Sequence, residues 1–192
     1  MEVSIRLAKP EEIETIIELQ TLSLLSNDFN NRKYNEKQIG SLITSQAEAR
    51  KTMFPRFESI LVAEQSNKIV GFITFANNSK LTRIYGIYVH QDYRYKGIGG
   101  KLIKEAEIAY IAQRKRILFV LSSLESIDFY KNKGFTIVRD AGFYSYGNIW
   151  IPCKLLKKEL IPLTSTERLL RQFIFVFIFV VSAIILLTLI FK

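Results

Sequence analysis

The feature that most constrains the fold is a glycine-rich segment, RYKGIGGK at 94–101, that joins two different hydrophobic patterns. Residues 81–89 before it are rich in β-branched and aromatic side chains and predict a strand, while residues 100–113 carry apolar side chains at helical spacing. Glycines between a strand and a helix allow several backbone N–H groups and the helix start to point at one spot, which attracts an anion. The segment is also basic, with cationic side chains at Arg94, Lys96, Lys101 and Lys104. The sequence therefore predicts a diphosphate site at this turn.

Two familiar phosphate-binding loops do not match this segment. The P-loop needs a glycine at position 95 and Ser or Thr after Gly-Lys, whereas the chain has Tyr95 and Leu102. The dinucleotide fingerprint G-x-G-x-x-G also requires glycine where Leu102 stands. The segment therefore predicts neither a P-loop nucleotide site nor a Rossmann dinucleotide site.

The rest of the chain mixes strand and helix patterns without an internal repeat. Residues 3–7 alternate apolar and polar side chains as a half-buried strand does, and a helix pattern starts at Pro10. Residues 27–35 are polar and predict a loop. Further strands are predicted at 60–64, 69–75, 117–121, 135–138 and 149–155, and further helices at 36–50 and 126–131. This order predicts a single mixed α/β (α+β) sheet flanked by helices.

Composition excludes several classes of protein. With one cysteine, Cys153, and one histidine, His90, in 192 residues, the chain has no disulfide framework and no His/Cys zinc site, and we expect no metal. The excess of 27 Lys+Arg over 18 Asp+Glu would suit nucleic acid. However, the sequence has neither an aromatic–basic RNA motif nor a recognisable DNA-binding helix, so we expect no nucleic-acid partner.

The C-terminal run FIFVFIFVVSAIILLTLIF at 173–191 contains no charged side chain. As a helix it would reach about 28 Å, close to the roughly 30 Å hydrocarbon core of a bilayer, and it is apolar on every side. Basic residues before the run favour a C-terminal membrane anchor, with the lipid bilayer as partner and the rest of the chain facing the cytoplasm. A buried helix in an oligomer is the alternative. The sequence thus predicts a domain at 1–158, a linker or juxtamembrane helix at 159–172 that starts at the capping pair Thr164 and Glu167, and a transmembrane helix at 173–191.

Two segments of the domain resemble the GCN5-related N-acetyltransferase (GNAT) family. IYGIYVHQDYRYKGIGGKLI is similar to the family's motif A, R/Q-x-x-G-x-G/A after a strand, and matches it at Arg94, Gly97 and Gly99. Further along, SLESIDFYKNKGF resembles the pattern N-x-x-A-I-x-F-Y-x-x-x-G-F, with matches at Ile127, Phe129, Tyr130, Gly134 and Phe135. The resemblance covers residues 1–158. It implies a GNAT-type, mostly antiparallel sheet that is splayed between strands four and five.

The resemblance also implies that acetyl-CoA is the co-substrate, with its pantetheine arm in the gap between those strands. Backbone groups of residues 87–89 are expected to bind the arm, and the amides of residues 95–100 the pyrophosphate. The expected cofactor-binding residues are Ile87, Tyr88, Val89, Arg94, Tyr95, Lys96, Gly97, Ile98, Gly99, Gly100, Lys101 and Ser123. The chain departs from the family pattern at Ser123, where Asn is frequent, and at Pro152, which removes a backbone donor from the last strand.

Amide formation from a thioester needs a neutral amine, a stabilised oxyanion and a proton donor for the leaving thiolate. The resemblance assigns the donor to Tyr130, because a phenol of pKa about 10 can protonate a thiolate of pKa about 8.5. The base is left open. Many members carry Glu in strand four, whereas residues 81–89 contain no acid and Tyr85 stands at the aligned position, where it could order a water; His90 is the other candidate. An α-amine of pKa about 8 needs less help from a base than a lysine amine, so low-pKa amines are favoured.

These expectations lead to two functional hypotheses. The first is an acetyl-CoA-dependent N-acetyltransferase that acts on a protein N-terminus or a small amine at the cytoplasmic membrane surface. The second is a non-catalytic, membrane-anchored module that binds acyl-CoA for sensing or recruitment. Aromatic residues around the presumed acceptor mouth are similar to those of protein N-terminal acetyltransferases: Phe29, Tyr34, Phe54, Phe57, Tyr144 and Tyr146.

Overall fold

The computed structural model describes residues 2–26, 33–76 and 82–190, without the side chains at 171, 183 and 186–190. Phe29, most of the predicted loop at 27–35 and the first residue of the predicted strand at 81–89 lie outside the described residues. The chain divides into two compact units, with the boundary between Leu160 and Ile161.

The described part of the first unit contains one seven-stranded mixed sheet in the order β1-β2-β3-β4-β5-β7-β6. Its strands are β1 (Ser4–Leu7), β2 (Glu58–Gln65), β3 (Lys68–Ala76), β4 (Arg83–Val89), β5 (Ile117–Ser123), β6 (Thr136–Ser145) and β7 (Ile149–Glu159). Neighbouring strands are antiparallel except for β4 and β5, which are parallel. The predicted mixed α/β sheet with flanking helices is confirmed.

Helices cover both faces of the sheet because side chains alternate between the faces along each strand. The helices of the first unit are α1 (Ile13–Leu25), α2 (Glu36–Met53), α3 (Ile98–Ala112) and α4 (Ile127–Lys131). On one face, α3 buries Leu102 and Tyr110 in the main hydrophobic cluster. On the other, α1 packs Ile16 against Val62 and Phe72. The sheet between these layers positions the site described below.

The last two strands are longer than the sequence predicts. β6 reaches Ser145, and the polar stretch beyond residue 138 was not predicted because it lacks apolar alternation. The burial pattern explains this: β6 is an edge strand, and most of its first half is exposed. Pro152 is tolerated in β7 because pairing with β5 begins only at Cys153, so the missing N–H is not required there. Its carbonyl instead accepts a hydrogen bond of 2.7 Å from the Tyr34 hydroxyl.

The structure corrects the prediction of a membrane anchor. The second unit contains α5 (Ser165–Ile190), which begins at the predicted pair, since the Thr164 N–H donates to Glu167 at 2.8 Å. Among the described residues, however, no helix has the length and apolar character that crossing a bilayer requires. The predicted transmembrane helix at 173–191 and bilayer partner are therefore not supported, and the predicted location at a membrane is wrong.

Candidate active site

The sheet opens between β4 and β5. The two strands pair only where Arg83 and Ile84 meet Phe119 and Val120. From there to Val89, β4 pairs with β3 alone among the described residues, so the backbone groups on its other edge have no strand partner. A cavity of about 800 Å³ lies at this opening and is lined by residues of both strands.

The glycine-rich loop follows β4 and leads directly into α3. Gly97 caps the helix at φ 80°, and Tyr95 has a φ of 63°. A Cβ atom at Gly97 would meet nothing within 4 Å, whereas one at Gly99 would approach the Phe129 ring at 3.1 Å. Because the first N–H groups of a helix have no partner within it, the loop presents free donors on its open side.

Charged side chains around the loop take distinct roles. Arg94 holds the loop against α1, because its Nη2 donates to the Ser23 carbonyl at 3.0 Å and to Ser26 Oγ at 2.9 Å. Lys96 Nζ lies 5.1 Å from the centroid of the Tyr93 ring. Lys133, which follows α4, sits beside the helix start: its Nζ would be 2.9 Å from a Cβ at Gly100. Free backbone donors, a helix N-terminus and a nearby ammonium group together fit a diphosphate.

Tyr130 lies on α4 and is only 2% exposed. Its ring packs edge-to-face against Phe129 and Phe135, with centroids 5.3 and 5.4 Å away. Burial, and then the neighbouring Tyr88, raise the pKa of the Tyr130 phenol above its ordinary value. Tyr130 therefore keeps its proton at neutral pH and lines the cavity as a hydrogen-bond donor.

Comparison with known proteins decides the family. A model of the acetyltransferase (GNAT) domain matches residues 28–157. This chain belongs to the GNAT family. It is therefore an N-acetyltransferase with acetyl-CoA as its co-substrate, as the sequence predicts.

Solved structures show the same GNAT fold. A GCN5-related N-acetyltransferase from Rhodopseudomonas palustris is 22% identical over 83% of this chain and 96% of its own, with a TM-score of 0.73. The PaiA N-acetyltransferase of Thermoplasma acidophilum, in complex with coenzyme A, is 20% identical over 83% and 99%, with a TM-score of 0.65. YncA of Salmonella typhimurium, with acetyl-CoA, is 18% identical over 86% and 98%, with a TM-score of 0.57. No curated protein sequence matches the chain.

Most of the predicted site residues of this GNAT domain line one cavity. Those that line it are Tyr85, Ile87, Tyr88, Val89, Arg94, Tyr95, Gly97, Ile98, Gly99, Ser123 and Tyr130. Lys96, Gly100 and Lys101 belong to the loop and the first turn of α3 but are not part of the lining. His90 is not part of it either, and its Nδ1 accepts from the Asp92 N–H at 3.4 Å.

Tyr85 and Tyr88 occupy different environments on β4. The register with β3 shifts between Thr74 and Phe75, which leaves Tyr85 at a bulge, beside the Arg83 guanidinium at 5.7 Å from its ring. The Tyr88 ring stacks on Phe72, with centroids 5.0 Å apart. Ser123, at the end of β5, donates from its Oγ to Ser126 Oγ at 2.9 Å.

A buried polar network at the cavity was not predicted from the sequence. Glu58 is fully buried at the start of β2, and its Oε1 is paired with Arg50 of α2. Arg50 also donates to Thr74 Oγ1 at 2.9 Å and to Gln20 Oε1 at 3.2 Å. Gln46 Oε1 accepts from the Tyr88 hydroxyl at 2.5 Å. The sequence contains one indication of this network. Glu58 stands two residues before Ile60, and side chains two residues apart on a strand lie on the same face, so Glu58 is expected to face inward with Ile60.

Proposed function

We propose that this protein transfers the acetyl group of acetyl-CoA to a primary amine, on a small molecule or a protein N-terminus, by direct attack of the amine on the thioester. One observation carries the proposal: a single cavity joins the glycine-rich loop, the unpaired edge of β4 and the buried phenol of Tyr130. Family membership supports the reaction class. The choice of amine rests on the cavity.

Binding of acetyl-CoA is assigned to the loop and to β4. Amides of residues 95–100 hold the pyrophosphate at the start of α3, with Lys96 and Lys101 adding positive charge and Arg94 fixing the loop. Backbone groups of Ile87–Val89 on the edge of β4 that faces the opening bind the pantetheine arm. Ser123 borders the same space from β5.

Acetyl-CoA supplies an activated carbonyl carbon, so that a C–N bond forms as the C–S bond breaks. Tyr130 gives its proton to the departing sulfur and is reprotonated from solvent, while the amine releases one proton to solvent, so protons and charge balance over the turnover. The raised pKa of Tyr130 means that the phenol is protonated when the sulfur departs. Tyr85, which borders the cavity, orders the water through which the amine proton leaves.

A second candidate is a module that binds acyl-CoA without transferring the acyl group. The observation that favours it is the absence of an acidic residue from β4, whose sequence is RIYGIYV. A strong base is unnecessary, however, for an amine that is already partly neutral at pH 7. The transferase is therefore the better-supported function.

Thiol release distinguishes the two candidates. The full chain is incubated with acetyl-CoA and a panel of primary amines, and free coenzyme A and acetylated product are quantified. We expect equal amounts of both products and at least a tenfold slower release for Tyr130→Phe, because the proton donor is lost. Arg139→Gln, at an exposed residue of β6 outside the cavity, should retain the wild-type rate. Coenzyme A binding without thiol release from any amine would establish the second candidate.

A further inference from the structure

One end of the cavity contains a carboxylate oxygen without a partner. Glu58 is 0% exposed, and its Oε1 is paired with Arg50. Its Oε2 is buried and has no hydrogen-bond partner among the described residues. A buried acceptor left unsatisfied is unfavourable, so this oxygen is a site for a donor from a ligand. Glu58 lines the cavity, which gives a ligand access to it.

The same end of the cavity contains an unpartnered donor. Arg83 Nε is buried and lacks a hydrogen-bond partner in the described part of the chain. Its guanidinium lies beside the Tyr85 ring, and no ion pair joins it to a described carboxylate. Since Arg50 already balances Glu58, the charge of Arg83 favours an anionic group on the ligand.

In the sheet, Glu58 on β2 and Arg83 on β4 lie at the same level along the strands, with β3 between them. Glu58 pairs with Ala76 on β3. The Tyr110 hydroxyl donates to the carbonyls of Ala76 and Arg83, each at 3.1 Å, so these two residues are neighbours across β3 and β4. With strands about 4.8 Å apart, the two Cα atoms are roughly 10 Å from each other. Two long side chains across that span leave room for a small ligand that contacts both.

This end is separate from the loop that is proposed to hold the cofactor but shares the cavity with the acid. Arg83 begins β4 and the glycine-rich loop follows its end, so the strand separates them by roughly 20 Å. Glu58 and Tyr130 line the same cavity. A group held at Glu58 therefore lies in the cavity that the acid borders.

Apolar side chains also line the cavity. Helix α2, β6 and β7 contribute buried or half-buried side chains that line the cavity: Ile39, Leu42, Ala49, Met53, Phe143 and Ile151. An apolar wall is suited to an apolar substituent rather than to a polyamine or a sugar.

We infer that this end binds the acceptor as a free α-amino acid with an apolar side chain, its amine donating to Glu58 Oε2 and its carboxylate accepting from Arg83. The inference rests on the proposed transferase function and names its acceptor class. It rests on three observations: the buried atoms without hydrogen-bond partners, Glu58 Oε2 and Arg83 Nε, the charge of Arg83 without a described counter-ion, and the apolar side chains that line the cavity. A carboxylate-free amine would leave Arg83 unpaired.

The test compares leucine with 3-methylbutylamine, which is leucine without its carboxylate, using full-length wild-type protein and Arg83→Gln. We expect Arg83→Gln to lower kcat/KM for leucine at least tenfold and to change that for 3-methylbutylamine less than twofold. Arg139→Gln, on the exposed part of β6 outside the cavity, should leave both values unchanged. A loss of packing alone would lower both values together.

Calorimetric titration of leucine into the coenzyme A-loaded protein provides a second measurement that does not depend on turnover. We expect Arg83→Gln to weaken leucine binding at least tenfold, and thermal unfolding checks that the variant is folded. Equal losses for both acceptors, or acetylation of the amine but not of leucine, would overturn the inference and leave the proposed function intact. Coenzyme A binding with neither leucine binding nor acetylation of any amine would overturn both.

Discussion

Tyr130 illustrates how burial can suit a residue to a chemical role. Its phenol is enclosed by Phe129 and Phe135 on one side and borders the cavity on the other. Desolvation disfavours the phenolate, so the pKa of Tyr130 rises above the ordinary value of about 10. The group therefore stays protonated across the physiological range, as the proposed acid must. As a base it would be ineffective.

The pH dependence of the rate tests this assignment. We expect kcat/KM for an amino-acid acceptor to rise with pH as the amine is deprotonated, and not to fall again up to pH about 10, because Tyr130 remains protonated. Initial rates of thiol release between pH 6 and 10 measure the profile. A decline with a midpoint between pH 8 and 9 would contradict the role of Tyr130 as the acid.

In the proposed function, the loop and α3 act together as one anion-binding element. Gly97 adopts a positive φ that ends the loop and starts the helix, and the space around its Cα is open. Any side chain there is strained and projects into the space that a diphosphate would occupy. The Gly99 position contacts Phe129, which ties the same element to α4.

Gly97→Ala should therefore weaken coenzyme A binding at least tenfold in a calorimetric titration, since the methyl group strains the cap and blocks the phosphate. Gly147→Ala is the matched control: Gly147 also has a positive φ, 70°, with nothing within 4 Å, and it lies outside the cavity. Both substitutions should destabilise the fold by about 1–2 kcal/mol. Equal effects of the two on coenzyme A binding would contradict the assignment of the loop.

Local patterns were sufficient to predict the strand and the helix on either side of the glycine-rich loop. The change from strand to helix spacing on either side of the glycines predicted β4 and α3. Matches to family motifs identified Tyr130 as the candidate proton donor. The Glu58–Arg50 pair was not predictable in the same way, because it joins the start of β2 to α2 and depends on the tertiary fold. Lys133 was missed for the same reason, since its position beside Gly100 requires α4 to pack on α3. The C-terminal run shows the opposite error, in which a pattern alone predicted a membrane span.

At the scale of the whole molecule, the sheet that forms the cavity is also held together at its β1 edge. β1 is fixed to β2 by register and by Arg6, whose Nε donates to Glu64 at 2.8 Å. Arg6 also donates to both carboxylate oxygens of Glu12, at 2.9 and 2.7 Å. These bonds lower the pKa of Glu12 to about 2.

Stability should therefore depend on the ionisation of Glu12. Because its folded pKa is below the unfolded value of about 4.3, its contribution is present above that pH and is lost as the pH falls towards 2. Glu12→Gln should lower the free energy of unfolding by about 1 kcal/mol or less at pH 7, since the pair is partly exposed, and by progressively less between pH 4 and 2. Urea unfolding of Glu12→Gln measures this, with the exposed Glu11→Gln as control. An effect independent of pH would contradict the role of the ion pair.

The most direct test of the account is a crystal structure of the full chain with acetyl-CoA bound. We predict that the pyrophosphate accepts hydrogen bonds from amides of residues 95–100, that the pantetheine arm lies along the free edge of β4, and that the thioester sulfur is within hydrogen-bonding reach of the Tyr130 hydroxyl. Acetyl-CoA bound outside the opening between β4 and β5, or a thioester remote from Tyr130, would contradict it.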